Sequence, residues 1–326
     1  MRPFTYVRTR DAVDAVESVE AGGPDAMYLG GGTNLVDLMR LGVATPARLV
    51  DVSRLPYDSI AAHGDGLRIG AAVRNSDLAA HPDVRARYPM LARAVLAGAS
   101  GQVRNMATVG GNLLQRTRCP YFQDVTKPCN KRDPGSGCPA VEGDHQNMAV
   151  LGRSAACVAT HPSDMAVALA ALGAEVRVTG PDGERTVPMP GLHRLPGDRP
   201  DRDTVLAPGE LITAVDLPAP PGGRSTYRKV RERASFAFAL VSVAAALDVG
   251  PGGGVRDVRI ALGGVAHAPW RAGAAEEVLQ GAPADADAFA RAADAELAAA
   301  RPLPRNAYKV PLARHLIVHT LQELLP

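Results

Sequence analysis

Two short glycine-rich loops hold the residues best suited to chemistry. Leu29-Gly30-Gly31-Gly32-Thr33-Asn34-Leu35-Val36 follows strand-forming residues and opens a helical pattern. Thr108-Val109-Gly110-Gly111-Asn112-Leu113 again sets paired glycines among small hydroxyl and amide side chains. Without a Cβ the backbone comes close to a ligand, and bare N–H groups at such a turn hold phosphate. Neither standard nucleotide fingerprint fits the first loop. G-x-G-x-x-G would require glycine at Leu35, and a P-loop would require Lys-Ser/Thr after its second glycine. Alone, that loop reads equally as a tight strand-to-helix turn; two such loops suit a diphosphate gripped from both sides. Gly250 to Gly254, between two predicted strands and without polar neighbours, reads as a hairpin turn.

The second chemical feature is a set of four cysteines. Cys119, Cys129, Cys138 and Cys157 are all the cysteines of a 326-residue chain, and they fall in one segment. A chain this long, opening MRPFTYVRTR with no apolar signal core, has little need of disulfides and is expected to fold in the cytoplasm. Four thiolates make a structural zinc set, but such sites usually contain a close C-x2–4-C pair, which is missing here. An iron–sulfur cluster also takes four thiolates and tolerates long loops, and Arg116, Arg118, Lys131 and Arg132 would offset its negative charge. Zinc and cluster both stay open on spacing alone. No G-x-S-x-G or H-E-x-x-H is present. The pair His315 and His319 lacks the glutamate of a metal motif and reads as structural, and His161 before Pro162 reads either as a cofactor contact or as a loop end.

The elements that must position these residues follow from periodicity. Phe4–Val7, Ala26–Leu29 and Leu49–Val52 read as strands alternating with helices at Ala12–Val19 and Leu35–Leu41, an α/β pattern. Leu67–Ile69 predicts a strand, Asn75 or Ser76 caps a helix from Asp77, and Met90–Ala97 is helical. From 116 to 161 apolar periodicity vanishes, so something other than a hydrophobic core must order the segment. A helix over 163–173 and a hairpin over 174–187 follow. LPAPPGGRS is the linker candidate. Beyond it, strands at Ser225–Arg231, Ala239–Val249 and Val255–Leu262 precede helices, one of them over the Ala-rich residues 284–300. Two units are expected, 1–222 with a cysteine loop at 116–160, and 223–326. Lys plus Arg number 36 against 34 Asp plus Glu, a net +2 that argues against an extended surface for nucleic acid or anionic membrane. The longest apolar run, Phe236–Leu247, is too short to span a bilayer.

GGGTNL, SGQVRNMATVGGNL and ALGGVAHAPWRA resemble the FAD-binding medium subunit of molybdenum hydroxylases, the xanthine dehydrogenase and carbon monoxide dehydrogenase flavoprotein family, over essentially the whole chain. The resemblance implies an α+β fold: a two-lobed, PCMH-type FAD-binding domain, then a small domain with a three-stranded antiparallel sheet and helices. It implies that residues 29–36 with Thr108, Gly110, Gly111 and Asn112 hold the FAD pyrophosphate and ribityl. It further implies that Asp164 reaches the flavin's sugar-like chain, that Ile212 is an apolar isoalloxazine contact and that Lys229 lies near the ring. Read without it, Asp164 is equally a helix N-terminal acid and Lys229 a solvated strand residue.

RTRCPYFQD and PCNKRDPGSGC resemble the flavin subunits of bacterial periplasmic aldehyde oxidoreductases, which implies that the four cysteines bind [4Fe-4S]. The implied function is electron transfer, with no catalytic acid or base on this chain. Electrons would pass from molybdenum on a large partner, through two [2Fe-2S] clusters on a small partner, to FAD and an external acceptor, in a heterotrimer oxidising aldehydes. Purine, aromatic thioester or carbon monoxide as substrate, and a free-standing FAD oxidase with a zinc clip, are the alternatives. The complex is expected in the cytoplasm, or in the periplasm by export on a partner's signal.

Overall fold

The alternating N-terminal pattern folds as a parallel three-stranded sheet. In the computed structural model, which describes residues 1–326, β1 (Thr5–Arg8) leads through α1 (Ala12–Gly22) to β2 (Ala26–Leu29). Helix α2 (Leu35–Arg40) then leads to β3 (Arg48–Asp51), and the strand order is β1-β3-β2. Helix α1 begins where the Asp11 side chain accepts the Asp14 N–H, and its buried Ala12, Ala15, Val16 and Val19 lie at the i, i+3, i+4, i+7 spacing of one helical face. The first glycine loop is the turn from β2 into α2.

A five-stranded antiparallel sheet forms the middle of the molecule. It takes β4 (Ile60–His63), β5 (Gly66–Gly70), β6 (Glu175–Gly180), β7 (Gly183–Pro188) and β8 (Leu211–Leu217) in the order β4-β5-β8-β6-β7. Between β5 and β6 run the short helices α3 (Asn75–Ala80), α4 (Pro82–Arg87), α5 (Pro89–Ala97), α6 (Gly101–Arg104), α7 (Val109–Leu113), α8 (Pro120–Gln123) and α9 (Asp164–Leu172), and α10 (Met189–Leu192) follows β7. All nine residues of α9 are buried, as an apolar-all-round helix requires, and Gly173 ends it at φ 68°. Helix α3 starts two residues before the expected Asp77. Asn75 lies inside it, because its N–H is bonded to Ala107 C=O across the Arg74–Thr108 bridge.

The last third forms an antiparallel sheet of three long strands, β9 (Arg224–Val230), β10 (Val241–Val249) and β11 (Val255–Gly263), with the two-residue β12 (Trp270–Arg271) at one edge. Helices α11 (Gly273–Leu279), α12 (Ala286–Leu297) and α13 (Lys309–Glu323) cover it. Period-two alternation divides β10 between two cores. Ala244 and Ala246 join the large core built on β5, α5, α9 and β6, whereas Val241, Val243, Ala245 and Leu247 face the three helices. No helix is long and apolar enough to cross a membrane. The cysteine segment has a core after all: Cys119, Phe122, Ala140, Met148, Cys157 and Val158 pack with Leu38, Met39 and Leu49. Their scattered positions leave no period to read, which is why the sequence pointed to some other source of order.

Candidate cofactor site

The two glycine loops meet. A Cβ built on Gly31 would lie 1.9 Å from the Met106 carbonyl oxygen and 3.1 Å from Ala107 Cα, so the first loop rests on the backbone leading into the second. Gly32 takes φ 74°, a left-handed conformation that favours glycine. Thr108 caps α7 by accepting the Gly111 N–H at 3.3 Å, and Asn34 Oδ1 accepts the Arg116 N–H at 3.0 Å, tying the loops together a second time. Both following helices are short, and the N–H groups of Val109, Gly110, Gly111 and Asn112 are already bonded to Val73 O, Ala71 O, Thr108 Oγ1 and Thr108 O, so open backbone donors are left to the first loop.

Beside the loops opens a cleft of about 870 Å³. Gly32, Thr33, Asn34, Val36, Gly111 and Asn112 line it, and Asp164 and Lys229 stand elsewhere on its wall. Leu29, Gly30, Gly31, Leu35, Thr108 and Gly110 do not line the cleft; they brace the residues that do. Ile212 is also off the wall, buried behind Gly110, where an added Cβ would sit 3.8 Å from it. Lys229 is not a solvated strand residue. Its Nζ donates to Asp164 Oδ2 at 2.8 Å and to Ala97 O at 3.0 Å, with both side chains of the ion pair buried. Tyr227 donates to the other Asp164 oxygen, and burial together with that carboxylate pushes its hydroxyl pKa well up. Ser163 bonds Asn112 Oδ1 at 2.5 Å and accepts the Ala166 N–H, joining the second loop to α9.

Sequence reasoning missed a set of cleft arginines. Arg40, Arg104, Arg118 and Arg233 line the cleft, and Arg118 lies over the Phe238 ring at 5.3 Å. These come from distant segments; Arg40, Arg104 and Arg233 each look alone like an ordinary surface arginine, and the sequence assigned Arg118 to the cysteines instead. Asp37, Asp144 and Glu232 line the same cleft, and Arg118 is paired with Asp37 at 2.9 Å, so the arginines offer local donors on a wall of nearly balanced charge.

The four cysteines, far apart in sequence, line one small cavity with Lys131. No two are bonded to each other, and Cys119 also faces the cleft. Burial pushes the Cys119 thiol up to about 12 and Cys157 up to about 11, and it raises Cys138. Backbone N–H groups of Phe122 and Tyr121 pull Cys119 the other way, as donors aimed at a thiolate would. No group of three or more His, Cys, Asp or Glu side chains is arranged to hold a single metal ion. The donors gathered here are four thiols with backbone N–H groups and a buried cation beside them. Lys131 is itself buried, paired with Asp203 and bonded to Pro200 O at 2.9 Å. Burial works against the Asp203 charge, yet Arg116 and Lys131 hold its carboxyl below the usual range.

Residues 2–220 match the family described as the FAD binding domain in molybdopterin dehydrogenase. The chain belongs to this family. Residues 213–324 match the CO dehydrogenase flavoprotein C-terminal domain. The aldehyde oxidoreductase FAD-binding subunit PaoB of Escherichia coli (strain K12) is 52% identical over 326 residues, 99% of this chain and 98% of the relative. The carbon monoxide dehydrogenase medium chain of Afipia carboxidovorans is 28% identical over 292 residues, 89% of this chain and 84% of the relative. A crystal structure of Cu,Mo carbon monoxide dehydrogenase in its cyanide-inactivated form superimposes with TM-score 0.78 at 27% identity, covering 99% of each chain. The chain is therefore the FAD subunit of a molybdenum-containing oxidoreductase, with the expected two-part flavoprotein fold.

Proposed function

We propose that this flavin subunit relays electrons in a molybdenum-dependent aldehyde oxidoreductase. The end-to-end 52% identity to an aldehyde oxidoreductase FAD-binding subunit carries this reading. The cleft is consistent with it. Its polar wall residues are bonded to one another, Lys229 to Asp164 and Ser163 to Asn112, which suits holding a cofactor in place more than exchanging protons with a substrate. Bound FAD would supply the redox chemistry, accepting electrons and passing them on. The N–H groups of the first loop and the cleft arginines would hold its diphosphate, and Asp164 and Lys229 would flank its sugar-like chain and ring. The partners in this reading are a large subunit carrying the molybdenum cofactor and a small one carrying two [2Fe-2S] clusters.

A reductive titration tests it. Aldehyde added anaerobically to the isolated chain should leave the flavin oxidised, and the flavin should bleach only after both partners are added. Bleaching of the chain alone would instead mark a free-standing oxidase.

The four cysteines, in the same proposal, hold a [4Fe-4S] cluster, supported by their shared cavity, the burial of Cys119 and Cys157 and the neighbouring Lys131. Metal analysis should find about four irons and one FAD per chain. Cys129→Ser should lose the iron and its electron paramagnetic resonance signal and loosen residues 116–160, while FAD stays bound. Unchanged iron in that variant, or zinc in place of iron in the native chain, would overturn the assignment.

A further inference from the structure

Three imidazoles share a second small cavity, between the flavin cleft and the thiols. His161, His193 and His267 line it with Asp203 and Lys131. It has His161, Thr160 and Gln115 in common with the cleft, and Lys131 and Thr117 in common with the thiol cavity. The His161 and His193 rings lie 4.2 Å apart.

Each imidazole has one nitrogen committed to the protein, which fixes where its proton sits. His193 Nε2 is 2.8 Å from the Leu113 carbonyl at the end of α7; a carbonyl only accepts, so Nε2 carries the proton and Nδ1 is a bare acceptor. Lys131 Nζ donates to His267 Nε2 at 2.7 Å, which leaves the His267 proton on Nδ1. The Ser163 N–H donates to His161 Nδ1 at 3.3 Å, which leaves that proton on Nε2. The three remaining nitrogens are thus two donors and one acceptor. All three are closed to solvent and find no partner among the protein's atoms. Burial pushes all three histidines below their usual range, His267 to about 3, so they are neutral.

Two donors and one acceptor are the complement of one water molecule. A buried water makes about three hydrogen bonds and needs on the order of 10–15 Å³ for its centre. The cavity offers about 20 Å³.

We propose that a single internal water, accepting from His161 Nε2 and His267 Nδ1 and donating to His193 Nδ1, closes a hydrogen-bonded chain from the flavin-binding helix to the cysteine loop. The chain runs from the Leu113 carbonyl through His193, the water and His267 to Lys131. Helix α7 presents Gly111 and Asn112 to the cleft, and Lys131 lies two residues from Cys129. Ordering one end lowers the cost of ordering the other, so flavin binding and cysteine-loop order are coupled, equally in both directions. The inference rests on the cleft being the FAD site.

Hydrogen–deuterium exchange on the full chain, freed of FAD and then reloaded, tests it. FAD should slow exchange over residues 128–138 by about fivefold. His193→Phe and His267→Phe should abolish that protection. His267→Gln should keep it, since its amide accepts from Lys131 and donates to the water. Nitrogen NMR of the native chain should find His267 protonated on Nδ1, His161 and His193 on Nε2, and none charged at neutral pH. FAD binding without protection of 128–138, protection surviving both phenylalanine variants, or a different tautomer set would overturn the coupling. If the phenylalanine variants fail to fold, the native tautomers and native protection decide the matter. Failure to bind FAD at all would overturn the flavin reading itself, and this inference with it.

Discussion

Gly31 shows how one atom governs the site. Its missing Cβ is the space occupied by the Met106 carbonyl, and a carbonyl inside a packed turn cannot swing aside as a side chain can. Gly31→Ala should therefore push the loops apart, costing roughly 1–3 kcal/mol of stability and on the order of tenfold in FAD affinity, read by urea unfolding and flavin fluorescence. Lys309 makes a prediction of another kind. It is fully buried, with Nζ donating to the Asn147 and Gly264 carbonyls at 2.9 and 2.7 Å and no carboxylate near, and burial pulls its pKa down to about 7. The unfolded lysine titrates near ~10.4. Between about pH 7 and about pH 10 the unfolded chain then holds the extra proton, so stability rises with pH across that window by up to about 1.4 kcal/mol per unit and is flat below it. Lys309→Met should remove this slope. Urea unfolding at about pH 6, 7.5 and 9 measures it, and an unchanged slope would refute the assignment.

Among the elements, the connection of α12 to the sheet edge depends on one acid. Buried Glu296 accepts the Trp270 indole N–H at 2.7 Å and the Ala275 N–H at 3.1 Å, so it joins α12 to β12 and α11. Glu296→Ala would strand both donors and should cost about 2–3 kcal/mol, seen as a lowered melting temperature. Nothing in the sequence marks this residue, since a glutamate in an Ala-rich helix reads as solvated. Helix α1 was legible because its apolar residues recur at helical spacing, and α9 because it is one long apolar run; their caps, Asp11 and Ser163, are seen in the structure. The start of α3 was not, because the bond that sets it comes from Ala107, more than thirty positions away. The cysteine segment was legible as a composition but not as a structure, its packing being made against α2 and β3.

At the scale of the whole molecule, the expected break near residue 222 divides the cleft. Tyr227, Ala244, Ala246 and Ala261 belong to the same core as Leu67 and Ile69, and the Lys229–Asp164 pair spans that point. Lys229, Phe236 and Gly264 line the cleft opposite the glycine loops. Residues 1–222 and 223–326 produced separately should each fail to bind FAD, although the second keeps a helix-covered core of its own. Flavin retention and circular dichroism of the two pieces check this; full affinity in 1–222 alone would refute it.

The two glycine loops, the cysteine set and the order of strands and helices are determined by the sequence itself, because each rests on local chemistry: a missing Cβ, a thiol, a period of two or 3.6 residues. What the tertiary structure decided is which of those residues face the cleft. Gly31 and Gly110 are closely packed off the cleft wall, Ile212 is core, and Lys229 is held by Asp164. It also decided that four distant cysteines share a cavity and that His161, His193 and His267 line another between that cavity and the cleft. Such groupings depend on contacts between residues tens to a hundred or more positions apart, which leave no period or spacing in the chain.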